Sequence, residues 1–319
     1  LLAGGLRDTL AAASRMLDRA EARRRELLRC GTPRADPGCG VEVRYLYQVS
    51  RGRPPANVFA QILAGFEMAS SDPRVVGFNL VQPEDGLVSM RDYSLQMRMI
   101  GHLRRMYPGV RFALHAGELA PGLVPPEGLR SHVREAVEVA GASRIGHGVD
   151  VMHEDDPYAL LRTMAGRGVL VEIALTSNDV ILGVKGADHP LRAYMEAGVP
   201  VALATDDEGV ARSEMTMEYL KGVREQRLGY LELKSMARNS LEHAFVEGES
   251  LWRDPRGFQP VAVCATEAGG LEGRRCRDFV GRSRKAALQA ELERAFAEFE
   301  REQAAMAADR EAAAAPTPR

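Results

Sequence analysis

The strongest constraint on the fold is a regular alternation of short apolar runs with amphipathic stretches. Six runs rich in Val, Ile, Leu, Phe and Tyr are predicted as strands, and each is followed by a helix-like segment. These runs are 41–49, 75–81, 111–116, 144–147, 169–175 and 199–205. Most are continuously apolar, as parallel strands covered on both faces are. The alternation therefore predicts repeated βα units and a parallel α/β sheet.

The spacing of these runs narrows the fold further. They end near residues 49, 81, 116, 147, 175 and 205, so one unit takes about 30 residues. A (β/α)8 TIM barrel spends about 31 residues per unit. A doubly wound sheet could share this spacing, but no Gly-rich phosphate loop follows an early strand. We therefore predict an α/β fold of the TIM-barrel type.

Only six of the eight barrel units are visible, which leaves roughly 60 residues unaccounted for at this spacing. The helix-like segment 6–28 precedes the first run, and the sequence opens with Leu1 instead of Met. We therefore expect the first strands to be missing from the front of the chain. Residues 1–246 are predicted to form the incomplete barrel, and residues 247–319 a loop and a C-terminal helical extension of the same domain.

Charge and hydropathy exclude two classes of partner. The 319 residues include 42 Lys and Arg against 44 Asp and Glu, a formal net charge of −2. Such a balance does not support a protein that binds nucleic acid by neutralising phosphates. No stretch approaches the ~18 apolar residues that a membrane helix needs. We therefore expect neither a nucleic-acid nor a membrane partner.

The four cysteines form two local pairs, Cys30 with Cys39 and Cys264 with Cys276. Neither pair has the CxxC spacing of a zinc or redox motif. They are either free thiols in a cytoplasmic protein or disulfides that close two short loops, which implies an oxidising compartment. We favour a periplasmic or secreted location, with the cytoplasm as the alternative.

Polar residues cluster where the predicted strands end. His115 and His147 lie at two strand ends, Glu118 follows one of them, and the segments 176–178 and 206–207 supply Thr, Ser, Asn and two Asp residues. In a barrel, the carboxyl ends of the strands form the active site. Polar groups from several strands at one level therefore indicate a catalytic site.

The residue types at these positions suit zinc hydrolysis chemistry. His115 and a carboxylate of the Asp206–Asp207 pair are suitable zinc ligands. Glu118 could donate a proton if burial raised its pKa, and His147 could orient or deprotonate a water. Two protein ligands are fewer than a catalytic zinc site normally has, and no other strand-end histidine supplies the deficit.

Four ordered motifs make the chain resemble the adenosine deaminase family. They are LHAGE (114–118), RIGHG (144–148), LTSND (175–179) and ATDDEG (204–209). The similarity spans about residues 41–246 and is greatest to bacterial proteins of the exported or growth-factor-related type. It implies an eight-stranded metal-dependent deaminase barrel, one zinc ion per full-length active site and a purine nucleoside as the small-molecule substrate. A homodimer is compatible with it.

The resemblance also assigns roles to single residues, carried over motif by motif. His115 and Asp206 would bind the zinc, and Glu118 would protonate N1 of the purine. His147 would position the attacking water and act as the base, while Asp206 would help orient that water. Asp207 would hydrogen-bond N7 of the purine.

The chain departs from the family pattern at three places. The HxH motif that supplies two zinc ligands is absent, since the first histidine is His102. Asn79 and Gln82 stand where many members have Asp and Gly, and the backbone N–H at that Gly position binds purine N3. Ala174 is a small residue before the LTSND turn. Gln82 and Asn178 are still predicted to bind substrate.

The leading hypothesis is zinc-dependent hydrolytic deamination of adenosine or deoxyadenosine to inosine or deoxyinosine plus ammonia. The absent HxH motif supports an alternative, a catalytically impaired, deaminase-like binding or growth-factor-like protein. A related metallo-hydrolase with another purine-type substrate is a further alternative, because barrel and metal do not define the substrate. The remaining histidines are expected at the surface or in packing: His102, His132, His153, His189 and His243.

Overall fold

A computed structural model describes residues 2–266 and 269–314, so the last residues of the expected extension, 315–319, lie outside the described part. Within the described residues, six strands are parallel and two more form a short antiparallel pair. The parallel strands are β1 Tyr45–Ser50, β2 Val75–Val81, β3 Ala113–Ala116, β4 Arg144–His147, β5 Leu170–Ile173 and β6 Val201–Leu203, and the pair is β7 Trp252–Asp254 with β8 Gln259–Pro260.

The parallel strands follow one another in sequence order. β1 pairs with β2, and β3, β4, β5 and β6 form a four-stranded sheet in that order. This is the order of neighbouring strands in the wall of a (β/α)8 barrel. The predicted parallel α/β class is confirmed.

Helices follow the parallel strands, because the amphipathic stretches between the apolar runs cover the sheet. Residues 136–140 form a π-helical turn directly after α4. The helices are α1 Leu2–Leu27, α2 Pro55–Ser71, α3 Leu87–Arg104, α4 His132–Glu135, α5 Pro157–Arg167, α6 Leu175–Leu182, α7 Leu191–Glu196, α8 Glu208–Ala211, α9 Met215–Gln226, α10 Tyr230–Glu242, α11 Ala262–Ala265, α12 Arg274–Val280 and α13 Arg284–Ala314.

Aromatic packing holds α2 against β2 and the start of β3. The rings of Phe66 and Phe78 lie 4.8 Å apart, and Phe78 stacks on Phe112 at the same distance. All three side chains are buried, and burying one such side chain contributes roughly 1.5–3 kcal/mol. This cluster fixes the two strands whose carboxyl ends lead into the polar residues described below.

The chain separates into two compact units, Leu1–Leu228 and Gly229–Arg319. The first contains the six parallel strands, so every predicted site residue lies in it. The second contains β7, β8 and α10–α13 around a buried cluster that includes Leu251, Trp252 and Cys276. The boundary expected at residue 246 stays a prediction.

Both cysteine pairs are disulfides in the structure. Cys30 is bonded to Cys39 in the first unit, and Cys264 to Cys276 in the second, with Cα–Cα distances of 5.6 Å and 4.7 Å. The disulfide interpretation of the cysteine spacing therefore describes this structure, and the free-thiol interpretation does not. Among the described residues, no helix combines the length and the apolar character required to cross a membrane.

Candidate active site

The predicted site residues lie at the carboxyl ends of successive parallel strands. His115 is in β3, and Glu118 follows that strand. His147 is the last residue of β4, Asn178 lies in α6 directly after β5, and Asp206 follows β6. Because parallel strands end at the same edge of a sheet, residues distant in sequence meet there.

Three of these residues form a compact donor group. The ligand-type atoms of His115, Glu118 and His147 all lie within 4.8 Å of one another. The two imidazole rings have their centroids 4.5 Å apart, and Glu118 and His147 are buried. Nitrogen and oxygen atoms of these kinds are ligands that zinc accepts, and of the three residues only His115 was predicted as a ligand.

Among the described residues, the Nε2 atom of His115 lacks the hydrogen-bond partner that a buried nitrogen needs. It is buried without a hydrogen-bond partner in the described structure. Carboxylate oxygens of Glu84 and Glu118 lie 3.4 Å and 3.5 Å from it, but neither contact has hydrogen-bond geometry. An orphaned buried nitrogen costs free energy, so the residues present fit a cation at this position.

The main chain of His115 is held on both sides. Its N–H donates to Oδ1 of Asn79 at 2.8 Å. Its carbonyl accepts from the buried guanidinium of Arg51 at 2.6 Å. Asn79, which stands where many family members have Asp, thus contacts the backbone of β3.

Glu118 has the pKa of an acid that can work near neutral pH. Burial, reinforced by the negative charges of Asp206 and Glu84, raises its pKa to about 7. Its Oε1 lies 3.4 Å from the Ser177 hydroxyl and 3.5 Å from the Asn178 amide nitrogen. Burial has the opposite effect on a base, and it lowers the pKa of His147 well below its usual range, so that ring is neutral.

The two aspartates after β6 lie outside the compact donor group. Asp206 is exposed, and its Oδ2 accepts a hydrogen bond of 2.9 Å from Ser177. Asp207 is also exposed. It caps the start of α8, because its carbonyl accepts the N–H groups of Val210 and Ala211 in that helix. The structure therefore brings Asp206 to the site through Ser177 and places Asp207 at a helix start.

Three predicted site residues adopt a left-handed backbone conformation. The φ angles of Gln82, His147 and Asp206 are +86°, +74° and +56°. Non-glycine residues in this region cost of order 1–3 kcal/mol each, and such strain is concentrated at functional sites. Each of the three residues ends or follows a parallel strand, so the strain coincides with the predicted site.

At position 82 the chain has Gln where many family members have Gly, and the structure shows what this difference changes. The backbone keeps the positive φ that favours glycine, and the exposed side chain adds a new contact, because its Oε1 accepts the N–H of Gly52 at 2.8 Å. The side chain therefore joins the end of β2 to the end of β1. The backbone N–H of residue 82 remains the group for which a substrate role is predicted.

Sequence reasoning missed Glu84, the buried carboxylate that organises the turn after β3. It accepts the N–H groups of Gly117 and Glu118 at 3.0 Å and 2.9 Å and contacts Nδ1 of His132 at 2.7 Å. Burial alone would raise its pKa, but the contacts with His115 and His132 and the charge of Arg51 lower it well below the usual value. Its position three residues after β2 was the available signal.

Two histidines expected at the surface or in packing are buried members of polar networks. His132 stacks on Tyr93 with 3.7 Å between ring centroids while it contacts Glu84. His189 lies 3.1 Å from the Asn178 amide oxygen. Both pack in the interior, as one of the two expectations had it. Their hydrogen bonds also connect them to the site, and no local sequence pattern predicted this connection.

Comparison with known proteins places these residues in context. The family model described as adenosine deaminase matches residues 12–251. An adenine deaminase of Rhizobium leguminosarum bv. trifolii is 29% identical over 222 residues, which are 69% of this chain and 63% of that protein. An adenosine deaminase of Shewanella loihica is 37% identical over 139 residues, covering 43% of this chain and 39% of that protein.

A solved structure shares the fold. An amidohydrolase from Burkholderia ambifaria with bound zinc superposes with a TM-score of 0.53 and 18% identity, covering 79% of this chain and 60% of that chain. At this identity the likeness concerns the fold alone. The chain also spans less than two thirds of the length of the curated Rhizobium relative.

Proposed function

The chain belongs to the adenosine deaminase family, and on that premise we propose that it removes the 6-amino group of adenosine or deoxyadenosine by hydrolysis. The products are inosine or deoxyinosine and ammonia. The observation that carries the proposal is Glu118, a buried carboxyl with a pKa of about 7 beside His115 and His147. Such a group holds a proton near neutral pH and can deliver it to a ring nitrogen.

The chain's own residues divide the reaction between them. Glu118 protonates N1 of the purine, which makes C6 more electrophilic. Water adds to C6 and gives one proton to the Asp206 carboxylate, which passes that proton to the amino group. Ammonia then leaves, the C6 hydroxyl returns its proton to Glu118, and the C6 carbonyl forms. His147 and Asp206 orient the water, while Asp207 hydrogen-bonds N7 and the backbone N–H of Gln82 contacts N3.

One zinc ion fits beside His115, as the unpartnered buried Nε2 atom of this residue supports. His115 and Asp206 would hold it, and when bound it would lower the pKa of a water to about 7. Two protein ligands are fewer than the three of a usual catalytic zinc site. We therefore expect this chain to bind zinc weakly and to need zinc in excess.

The proposed substrate is a nucleoside, and the free base adenine is the substrate to be distinguished from it. The curated relatives include an adenine deaminase and an adenosine deaminase, and both substrates present the same ring to Glu118 and Asp207. We propose the nucleoside because the four motifs of the site resemble the adenosine deaminase pattern. Ammonia release from adenosine, deoxyadenosine and adenine, compared at equal concentration, tests this choice.

The decisive variant is Glu118→Gln, which removes the proton and keeps the shape. We expect kcat to fall by about 10²–10⁴-fold while zinc affinity, measured by titration, stays unchanged because Glu118 is not assigned as a ligand. Glu127→Gln, at an exposed position, is the matched control and should keep its activity.

Two results would contradict the proposal. Near-normal turnover by Glu118→Gln would remove the acid from the mechanism. No ammonia from any of the three substrates with excess zinc would favour the catalytically impaired, growth-factor-like alternative, which the absent HxH motif supports.

We also propose an oxidising compartment, periplasmic or extracellular, because disulfides persist there and are rare in the cytosol. Thiol titration of the chain purified from each compartment checks it, and four free thiols in the functional protein would contradict it. The homodimer stays a prediction, which a molar mass from light scattering would test.

A further inference from the structure

Three buried polar side chains form a line behind the proposed catalytic group. His189, Asn178 and His147 are each less than 5% exposed. The His189 Nε2 atom lies 3.1 Å from the Asn178 Oδ1 atom, and the Asn178 Nδ2 atom lies 3.2 Å from the His147 Nδ1 atom. They come from the segment before α7, from α6 and from β4, so only the tertiary structure brings them together.

The hydrogen bonds along this line have a donor-to-acceptor direction, which is set at His189. The backbone N–H of Leu191 donates to Nδ1 of His189 at 3.1 Å, and a backbone N–H cannot act as an acceptor. Nδ1 of His189 therefore holds a lone pair. Burial lowers the pKa of His189 to about 4, so the ring is neutral and its proton is on Nε2, facing Asn178.

The contact with His189 sets the orientation of the Asn178 amide. Its oxygen faces the Nε2–H of His189, because an amide NH2 there would place two donors against each other. The amide nitrogen is then on the other side, 3.5 Å from Oε1 of Glu118 and 3.2 Å from Nδ1 of His147. In this orientation the amide N–H donates to Nδ1 of His147, which also lies 3.4 Å from Oε1 of Glu118.

We propose that His189 and Asn178 are positioning residues that hold His147 in its Nε2–H tautomer. His147 then offers an N–H donor, not a lone pair, to the reacting oxygen. It orients the water, and it is neither the base nor a metal ligand through Nε2. This inference deepens the proposed deaminase function and rests on it for its role in the reaction, whereas the tautomer itself follows from the contacts alone.

The tautomer can be measured without turnover. In two-bond ¹H–¹⁵N correlation spectra of the zinc-free full chain with labelled histidine, protonated and unprotonated ring nitrogens are separate signals. His147→Gln identifies the signals of His147 by their loss. We expect an unprotonated Nδ1 and a protonated Nε2, and a protonated Nδ1 in the unmodified chain would overturn the inference.

An isosteric exchange then tests the line itself. Asn178→Asp has no donor, so its carboxylate should draw a proton onto Nδ1 of His147. Asp179→Asn is the matched control, because Asp179 faces Lys221 at 2.8 Å, and its exchange should leave the His147 signals unchanged. An unprotonated Nδ1 that persists in folded Asn178→Asp would overturn the inference.

His189 gives a second, separate variant. His189→Leu leaves the Asn178 oxygen without its donor, so the two His147 tautomers should mix. Because one hydrogen bond is lost, kcat of the zinc-supplemented chain should fall about 2–10-fold with KM little changed. His189→Gln, which can donate an amide N–H, should restore a single tautomer. A single unchanged tautomer in His189→Leu contradicts the positioning role. A chain without deaminase activity contradicts the proposed function and leaves the tautomer result standing.

Discussion

The polar residues that surround His115, Glu118 and His147 form two halves that are built differently. The buried half consists of Glu84, His132, Asn178 and His189, and the exposed half of Asp206 and Asp207. Glu84 alone accepts two backbone N–H groups and contacts an imidazole. In the exposed half, Asp206 is linked to the buried side through the hydroxyl of Ser177.

This difference shows how each half keeps its geometry. In the buried half, backbone N–H groups and packed rings hold the side chains, so the removal of one group leaves others buried without partners. In the exposed half, backbone conformation holds Asp206, with a φ of +56°. Damage to the buried half should therefore lower stability, whereas damage to the exposed half should affect activity first.

The largest stability effect should come from Glu84→Ala. It strands the N–H groups of Gly117 and Glu118 and the ring of His132, and loss of one partner from a buried charged pair costs about 3–5 kcal/mol. Urea unfolding at pH 7 measures the loss. The matched change in the exposed half, Asp207→Ala, should stay within about 0.5 kcal/mol. Equal costs for the two variants would remove the distinction between the halves.

The second effect is a pH dependence that belongs to Glu118. Its pKa is about 7 in the folded chain and 4.5 in the reference state, so the folded state binds the proton more tightly. The stabilisation is full below pH ~4.5 and is lost as the pH rises through ~7, by up to about 3 kcal/mol. Glu154 has a similarly raised pKa, so the wild-type curve contains both contributions.

Subtraction isolates the contribution of Glu118. The difference in unfolding free energy between wild type and Glu118→Gln should change with pH only in this window, and wild type should lose stability relative to the variant as the pH rises. Glu127→Gln serves as the baseline. A flat difference curve would mean that burial does not perturb Glu118.

The third effect tests the link between the halves. Ser177→Ala removes the hydroxyl that joins Asp206 to the buried half. We expect the free energy of unfolding to fall by about 1 kcal/mol, and kcat to fall by a larger factor than the folding equilibrium constant. Chemical denaturation and steady-state kinetics measure the two. If stability fell as far as in Glu84→Ala, Ser177 would belong to the buried half.

The smallest effect concerns Gln82, where strain and a hydrogen bond oppose each other. Gln82→Gly relieves a left-handed conformation worth about 1–2 kcal/mol but loses the bond to Gly52, so the net change should be within about 1 kcal/mol. Gln82→Ala loses the bond, worth about 1 kcal/mol, and keeps the strain. We therefore expect melting temperatures to rank Ala below Gly, and the reverse order would contradict the strain.

Much of the fold was predictable because the signal is periodic. The apolar runs that end at residues 81, 116 and 147 end at the last residues of β2, β3 and β4. The candidate site was predictable for the same reason, since His115 and His147 were placed at strand ends by counting. Their roles in catalysis stay proposals.

The polar partners were not predictable from local pattern. Glu84, His132 and His189 sit in loops or at the start of a short helix, where a titratable residue is usually solvated. Their burial depends on which segments pack above β3 and β5, and that is a property of the assembled sheet.

The sequence by itself determined the order of strands and helices and the residue types at the strand ends, because each depends on residues close together along the chain. Tertiary structure decided the rest. It set the pKa of Glu118, the orphaned nitrogen of His115 and the direction of the line from His189 to His147, because burial and hydrogen bonding across three or more segments exist only after the chain has folded.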